Sequence, residues 1–154
     1  MARSICVQKA KKSDTEAIYT LLKPFWQRGL ILERPIEDIV HSLTSFFIAT
    51  CDNAMSGVIS FHNYGKHLKE IRSLVVSDDY SRLGIGSHLV RFLIKRLRLD
   101  GNPKIFVLSY SPVFFEKNSF IRVDKETLPE KIWKDCSNCK DQEQCGETAL
   151  VYTG

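Results

Sequence analysis

No stretch of this chain approaches the roughly 18 consecutive apolar residues that a bilayer span requires, which argues against a membrane protein. An apolar leader is missing as well: Met1-Ala2-Arg3-Ser4-Ile5-Cys6 runs straight into Gln8, Lys9, Lys11 and Lys12. No secretory signal is therefore expected, and the expected location is the cytoplasm. In that reducing compartment the five cysteines are expected to be thiols or metal ligands rather than disulfides. Charge of one sign is scarce too, with a net charge of only +4. The densest basic run, Arg91, Lys95, Arg96 and Arg98, falls on the outer side of a predicted helix and reads as a solvated face. Aromatic residues do not interleave with it, as a single-strand-binding groove requires, so no nucleic-acid partner is expected. Internal repeats and low-complexity linkers are absent. The 154 residues, with 44% hydrophobic and 26% charged content, predict one globular domain over 1–154, with a cysteine-containing segment at 128–147.

Hydrophobic periodicity supplies the elements. Ile5 to Lys9 reads as a first strand, and Ser13-Asp14-Thr15-Glu16 has the form of a capping box. The helix behind it carries Ala17, Ile18, Leu21 and Leu22 on one face and is expected to end before Pro24. Phe25 to Arg34 reads as a loop. Pro35 suits a first helical position, with Ile36, Ile39, Val40 and Leu43 as the stripe of a second helix. Phe46–Cys51 and Ser56–His62 read as a hairpin around Asp52-Asn53-Ala54, and Leu68–Val76 as a long strand beyond the turn at Tyr64-Gly65-Lys66. After Gly86 a helix buries Leu89, Val90, Leu93, Ile94 and Leu97 and stops at Asp100-Gly101-Asn102-Pro103. Ile105–Leu108, a short helix from Pro112, Phe120–Val123 and Ala149–Tyr152 complete an α+β pattern: a sheet with helices on its faces.

The most informative stretch is Leu74-Val75-Val76-Ser77-Asp78-Asp79-Tyr80-Ser81-Arg82-Leu83-Gly84-Ile85-Gly86-Ser87-His88-Leu89. An apolar strand leads through a polar turn and a Gly-x-Gly step into an amphipathic helix. Unpaired amides and the positive end of a helix dipole then meet at one spot, which favours a phosphate. The Walker A pattern appears nowhere in the chain. A dinucleotide fingerprint fits poorly, because Leu89 stands where a third small residue belongs and no acidic residue closes the next strand.

Ser81-Arg82-Leu83-Gly84-Ile85-Gly86 resembles the Arg/Gln-x-x-Gly-x-Gly/Ala pyrophosphate loop of the GNAT acetyltransferases, with Ser81 in place of Arg/Gln. Phe114-Phe115-Glu116-Lys117-Asn118-Ser119-Phe120 matches their late aromatic-pair motif, with Ser119 in place of Gly. The resemblance covers nearly the whole chain. Its C-terminal third, through Val123-Asp124-Lys125, Leu128-Pro129, Lys131, Trp133 and Asp135-Cys136-x-x-Cys139, looks like the short amino-acid N-acetyltransferases similar to N-acetylglutamate synthases. Lys140 and Gly146 depart from that group's usual residues. The chain is expected to lack the amino-acid-kinase domain of the longer synthases, and with it arginine feedback through such a domain.

This resemblance implies the GNAT fold, acetyl-CoA as co-substrate and direct attack of an amine on its thioester. The acceptor it implies is the α-amine of an amino acid, L-glutamate first, as in the opening step of arginine biosynthesis. Another amino acid, a polyamine or a protein N-terminus stays open, as does a non-catalytic acyl-CoA sensor or zinc-stabilised module. Glu70, at the head of Glu-x-x-x-Leu-x-Val-Ser, is the implied general base. Backbone amides at Leu74, Val75 and Val76 are expected on the acetyl carbonyl, and those of Arg82, Leu83, Gly84, Ile85, Gly86 and Ser87 on the pyrophosphate. Most of the family protonates the departing sulfur from a tyrosine. Phe115 stands there, against the cofactor, so Ser109 or Tyr110 is the expected donor, with Tyr110 equally readable as a rim aromatic. Arg34, Arg72 and Lys131 are candidates to hold acceptor carboxylates. Cys136-x-x-Cys139-x5-Cys145 is one ligand short of a structural zinc site, so reduced thiols are preferred there and no metal ligands are assigned. For assembly, the family alone points to a homodimer.

Overall fold

The computed structural model describes residues 4–128 and 147–154. They form two compact units that divide after Pro103.

In the first unit, β1 (Ile5–Lys9), β2 (Phe46–Cys51), β3 (Ala54–Asn63) and β4 (Leu68–Val76) pair antiparallel in chain order. The β2–β3 loop has two residues, Asp52 and Asn53, both with positive φ (52° and 70°). That geometry matches the twist of the flanking strands, and Asp and Asn tolerate it better than other side chains. Side-chain alternation then assigns the faces. Phe46, Ile48, Val58 and Val75 join Ile18 and Leu22 of α1 (Thr15–Gln27) and Ile39 of α2 (Ile36–His41) in one buried cluster. Phe47, of opposite parity, packs instead on Phe92 of α3 (Ile85–Leu97), ring centroids 5.5 Å apart. Helices thus cover both faces, which is why β2 is buried nearly throughout.

Three local expectations are corrected. Helix α1 does not stop at Pro24 but runs through it to Gln27. A mid-helix proline costs about 3 kcal/mol, and burial of Phe25 and Trp26 against the core cluster offsets that loss. The capping box is not formed by Ser13 and Glu16. Asp14 accepts from the Lys11 N–H at 2.8 Å, and Thr15 Oγ1 donates to the Lys12 carbonyl, so a short 3-10 turn precedes the helix. On α2, Ile39 is buried but Val40 is half exposed, because so short a helix presents only one turn to the core.

The long strand β4 is interrupted. Val75 pairs with Val58 and Arg72 with Ser60, so two residues, Ser73 and Leu74, stand opposite Ile59 alone. This β-bulge contains Ser73 at φ +51°, a conformation more usual for glycine. Ser60, 1% exposed, donates its hydroxyl to the Arg72 carbonyl at 3.1 Å and so satisfies a backbone group beside the interruption. An extra residue inverts the alternation. Arg72 and Glu70 are thereby turned to the α1 face, where Ser73 and Ile71 would otherwise lie.

In the second unit β5 (Lys104–Ser109), β7 (Thr148–Tyr152) and β6 (Phe120–Val123) lie side by side in that order, all antiparallel. The short helix α4 (Pro112–Glu116) starts with proline at its first turn. Beyond α4, Ser119 takes φ +71° where the family motif has glycine. Its carbonyl accepts from both the N–H and the hydroxyl of Thr153, at 2.8 and 2.7 Å, which anchors the chain end there.

Gly57 sets how closely α3 approaches the sheet. A Cβ at this position would lie 3.0 Å from Leu89 Cδ1, 3.1 Å from the Val75 carbonyl and 3.2 Å from Ile85 Cγ2. Gly57→Ala is expected to destabilise the fold by about 1–3 kcal/mol, because the carbonyl belongs to a ladder-paired residue and Ile85 is buried. Thermal denaturation of the variant measures this directly.

Candidate functional site

Two clusters in the first unit hold most of the expected site residues. The first is the start of α3. Gly84 is its N-cap at φ +78°, and Arg82 two residues earlier also has positive φ, +65°. A Cβ on Gly84 would meet nothing within 4 Å, so the requirement there is the left-handed backbone and not space. The first intrahelical bond runs from the His88 N–H to the Gly84 carbonyl at 3.0 Å. Among the described residues no side chain caps the helix, and the first turn holds no acidic residue. The amides of Ile85, Gly86 and Ser87 therefore project together from an end whose dipole is positive, a setting made for an anion. Lys95 and Arg96 in the last turn complement the negative end. Arg82 and Leu83 are exposed beside this end, and Ile85 is buried. The residues expected to form the phosphate cradle thus lie together at this one turn.

The second cluster lies on the bulged strand. Glu70 is 6% exposed. Its Oε1 accepts from Arg72 Nε at 2.8 Å and from the Tyr64 hydroxyl at 3.2 Å, and Arg72 Nη2 donates to that same hydroxyl at 3.0 Å. Three side chains thus close a ring of hydrogen bonds. Arg34, from the segment between α1 and α2, lies over the Phe46 ring at 5.2 Å and donates through Nη1 to Ser73 Oγ at 3.3 Å. Burial holds the Arg34 guanidinium below its ordinary pKa, the Arg72 charge lowers it further, and Asp38 opposes both. At Arg72 burial also acts downward, but the Glu70 carboxylate and the Tyr64 hydroxyl outweigh it, and its pKa is raised. Of these two half-buried cations, Arg72 is bonded to the Glu70 carboxylate and Arg34 to the neutral Ser73 hydroxyl, with Asp38 acting on Arg34 from the exposed side, an arrangement that favours one more anion.

Leu74 completes the bulge and Val75 and Val76 follow it, with Val75 buried and the other two partly so. In the second unit Ser109 ends β5 and its hydroxyl oxygen accepts from the Ser111 N–H at 2.8 Å, which leaves its own proton to donate. Tyr110, next along, is 44% exposed. Phe115 is buried, edge-on to Phe114 and Phe120 with centroids 5.0 and 5.3 Å away. Lys131 and the cysteines Cys136, Cys139 and Cys145 lie outside the described residues. Among those described, no group of three His, Cys, Asp or Glu residues could hold a metal ion, and no helix is long and apolar enough to cross a membrane.

Residues 15–117 match the sequence pattern of the acetyltransferase (GNAT) family. The chain belongs to that family. An uncharacterized N-acetyltransferase of Chlorobaculum tepidum is 34% identical over 99% of this chain and 98% of its own length. An amino-acid acetyltransferase of Shewanella oneidensis is 25% identical over 81% of the chain but only 28% of its own length. The fold is that of the N-acetylglutamate synthase from Neisseria gonorrhoeae complexed with coenzyme A and N-acetyl-glutamate. The TM-score is 0.88 at 24% identity, over 97% of this chain and 35% of that one. A Mycobacterium tuberculosis protein in complex with CoA gives 0.83 at 19% identity, over 97% and 99%. This GNAT chain thus spans about a third or less of the amino-acid acetyltransferase and the synthase it matches.

Sequence reasoning about this GNAT chain missed Tyr64, Ser60 and Ser73. Tyr64 read as a turn residue, and its reach to Glu70 follows from hairpin register, which pairs His62 with Glu70. Nothing in the sequence announces the bulge that gives Ser60 and Ser73 their roles. For the α3 cradle, Gly84→Ala forces a side chain into the left-handed region. It is expected to cost about 1–2 kcal/mol of stability or to reshape the turn. Calorimetric titration with coenzyme A is expected to show affinity reduced by about tenfold or more, as cradle amides lose their aim.

Proposed function

We propose that this GNAT acetyltransferase moves acetyl from acetyl-CoA to the α-amine of an acidic amino acid, with L-glutamate as the first candidate. The observation that carries the acceptor class is the pair Arg34 and Arg72, two half-buried guanidiniums beside the bulge, of which Arg72 is bonded to Glu70 while the exposed Asp38 does not lift the Arg34 pKa back to its ordinary value. A guanidinium fork matches a carboxylate, and a site built from two of them favours an acceptor with a carboxylate to spare. The names of the N-acetylglutamate synthase and the amino-acid acetyltransferase support the same class.

Acetyl-CoA supplies an activated acetyl thioester. The amides at the start of α3 hold its diphosphate. Glu70, held in place by its bonds to Arg72 and Tyr64, takes a proton from the acceptor ammonium, directly or through water, so that the nitrogen lone pair forms the new C–N bond. Backbone amides at Leu74, Val75 and Val76, where the bulge disturbs the ladder, donate to the negative charge that develops on the acetyl oxygen. As the C–S bond breaks, the sulfur takes up a proton and the new amide nitrogen gives up its second one, so that a hydroxyl donating to sulfur is restored; Ser109 and Tyr110 are the donors that the family resemblance offers.

A panel of amines at fixed acetyl-CoA, with thiol release as the readout, tests the acceptor. Glutamate is expected to exceed glutamine in kcat/KM by about a hundredfold, since the uncharged amide leaves a cation unpaired. Equal rates for the two end the acidic-acceptor reading. Arg34→Ala is expected to raise the acceptor KM by about tenfold or more while the acetyl-CoA KM holds. Glu70→Gln, which keeps shape and removes the base, is expected to lower kcat by about 10²–10⁴. Full activity of Glu70→Gln across the alkaline range assigns the proton transfer elsewhere.

A further inference from the structure

We infer that Tyr64 is a positioning residue that aims Arg72 at the acceptor; this rests on the proposed reading of Arg72 as a carboxylate ligand. The observation is the closed ring among Glu70, Arg72 and Tyr64. Arg72 spends Nε on the Glu70 carboxylate and Nη2 on the Tyr64 hydroxyl, so two bonds from different elements fix the plane of its guanidinium. A single bond through Nε would leave the group able to pivot about it, with its outer nitrogens swinging across the site. The second bond removes that freedom before any acceptor arrives, which is the condition for tight and selective recognition.

Tyr64 is itself well placed to act as a fixed post. It follows β3 directly, and its N–H donates to the Leu68 carbonyl at 3.1 Å across the hairpin, which ties its backbone to the start of β4. Its ring meets His62 edge-on at 4.5 Å. The hydroxyl donates to Glu70 and accepts from Arg72, so one neutral group aligns an anion and a cation together without changing the charge of the site. Phenylalanine would keep the ring and its packing and remove both bonds.

The test is a double-mutant cycle in the full chain, read as separate kcat and KM values for glutamate and for acetyl-CoA. Tyr64→Phe is expected to raise the glutamate KM by about five- to tenfold, with the acetyl-CoA KM unmoved and the melting temperature close to that of the parent. Arg72→Ala is expected to raise the glutamate KM further, and adding Tyr64→Phe to it is expected to change little, because the hydroxyl then has no guanidinium to hold. An unchanged glutamate KM in Tyr64→Phe, or a full additional factor in the double variant, overturns the inference alone. An unchanged glutamate KM in Arg72→Ala overturns the acidic-acceptor reading and this inference together.

Discussion

The arrangement of the candidate site depends on one irregularity, the extra residue in β4 at Ser73 and Leu74. In an unbroken strand, Val75 on the α1 face would be joined there by Ser73 and Ile71, and the chain's polar chemistry would point to the opposite face. The bulge inverts this parity and delivers Arg72 and Glu70 to the face where Arg34 waits above Phe46. The site is therefore a consequence of register before it is one of residue type. The cost is a non-glycine residue at φ +51°, of order 1 kcal/mol or somewhat more. Ser60 and Arg34 both bond to the segment that bears that cost.

A second constraint, independent of the first, fixes the start of α3. Gly57 has no side chain to hold the helix away, so Leu89 and Ile85 settle directly on β3. Gly84 then lets the chain enter the helix from a left-handed residue, with its amides uncapped by side chains among the described residues. Packing of a hydrophobic stripe and presentation of polar amides are thus achieved by the same element at opposite sides. The absence of acidic residues from the first turn keeps the helix end from neutralising itself.

These two constraints differ in how far the sequence discloses them. Gly84 and the α3 stripe declare themselves through composition and period, and the Asp52-Asn53 hairpin through its turn residues. All three are local, and local chemistry is what a sequence states openly. Pro24 misled because its preference is local while the burial of Phe25 and Trp26 is not. The bulge left no mark, because a serine in the left-handed region looks like any other strand serine. Glu70 could be named from family resemblance and Arg72 as a cation suited to a carboxylate, yet their bond to Tyr64 required the hairpin register. The aromatic Phe115 was legible as a motif residue, while its burial against Phe114 and Phe120 came only with the packing.

Charge closes the argument about the acceptor. Arg34 and Arg72 are both half-buried; Glu70 is bonded to Arg72, and the exposed Asp38 does not offset the burial and the Arg72 charge that lower the Arg34 pKa. On the proposed reading, an acidic amino acid entering as a zwitterion with one further carboxylate brings an anion that can pair with Arg34. A neutral amino acid brings no net charge and a polyamine adds positive charge. Tyr64 adds orientation to this balance without altering it, since its hydroxyl bridges the two charged partners while remaining neutral. On that reading, preference for an acidic acceptor rests on electrostatics that exist before binding, with the bulge deciding which face of the sheet they occupy.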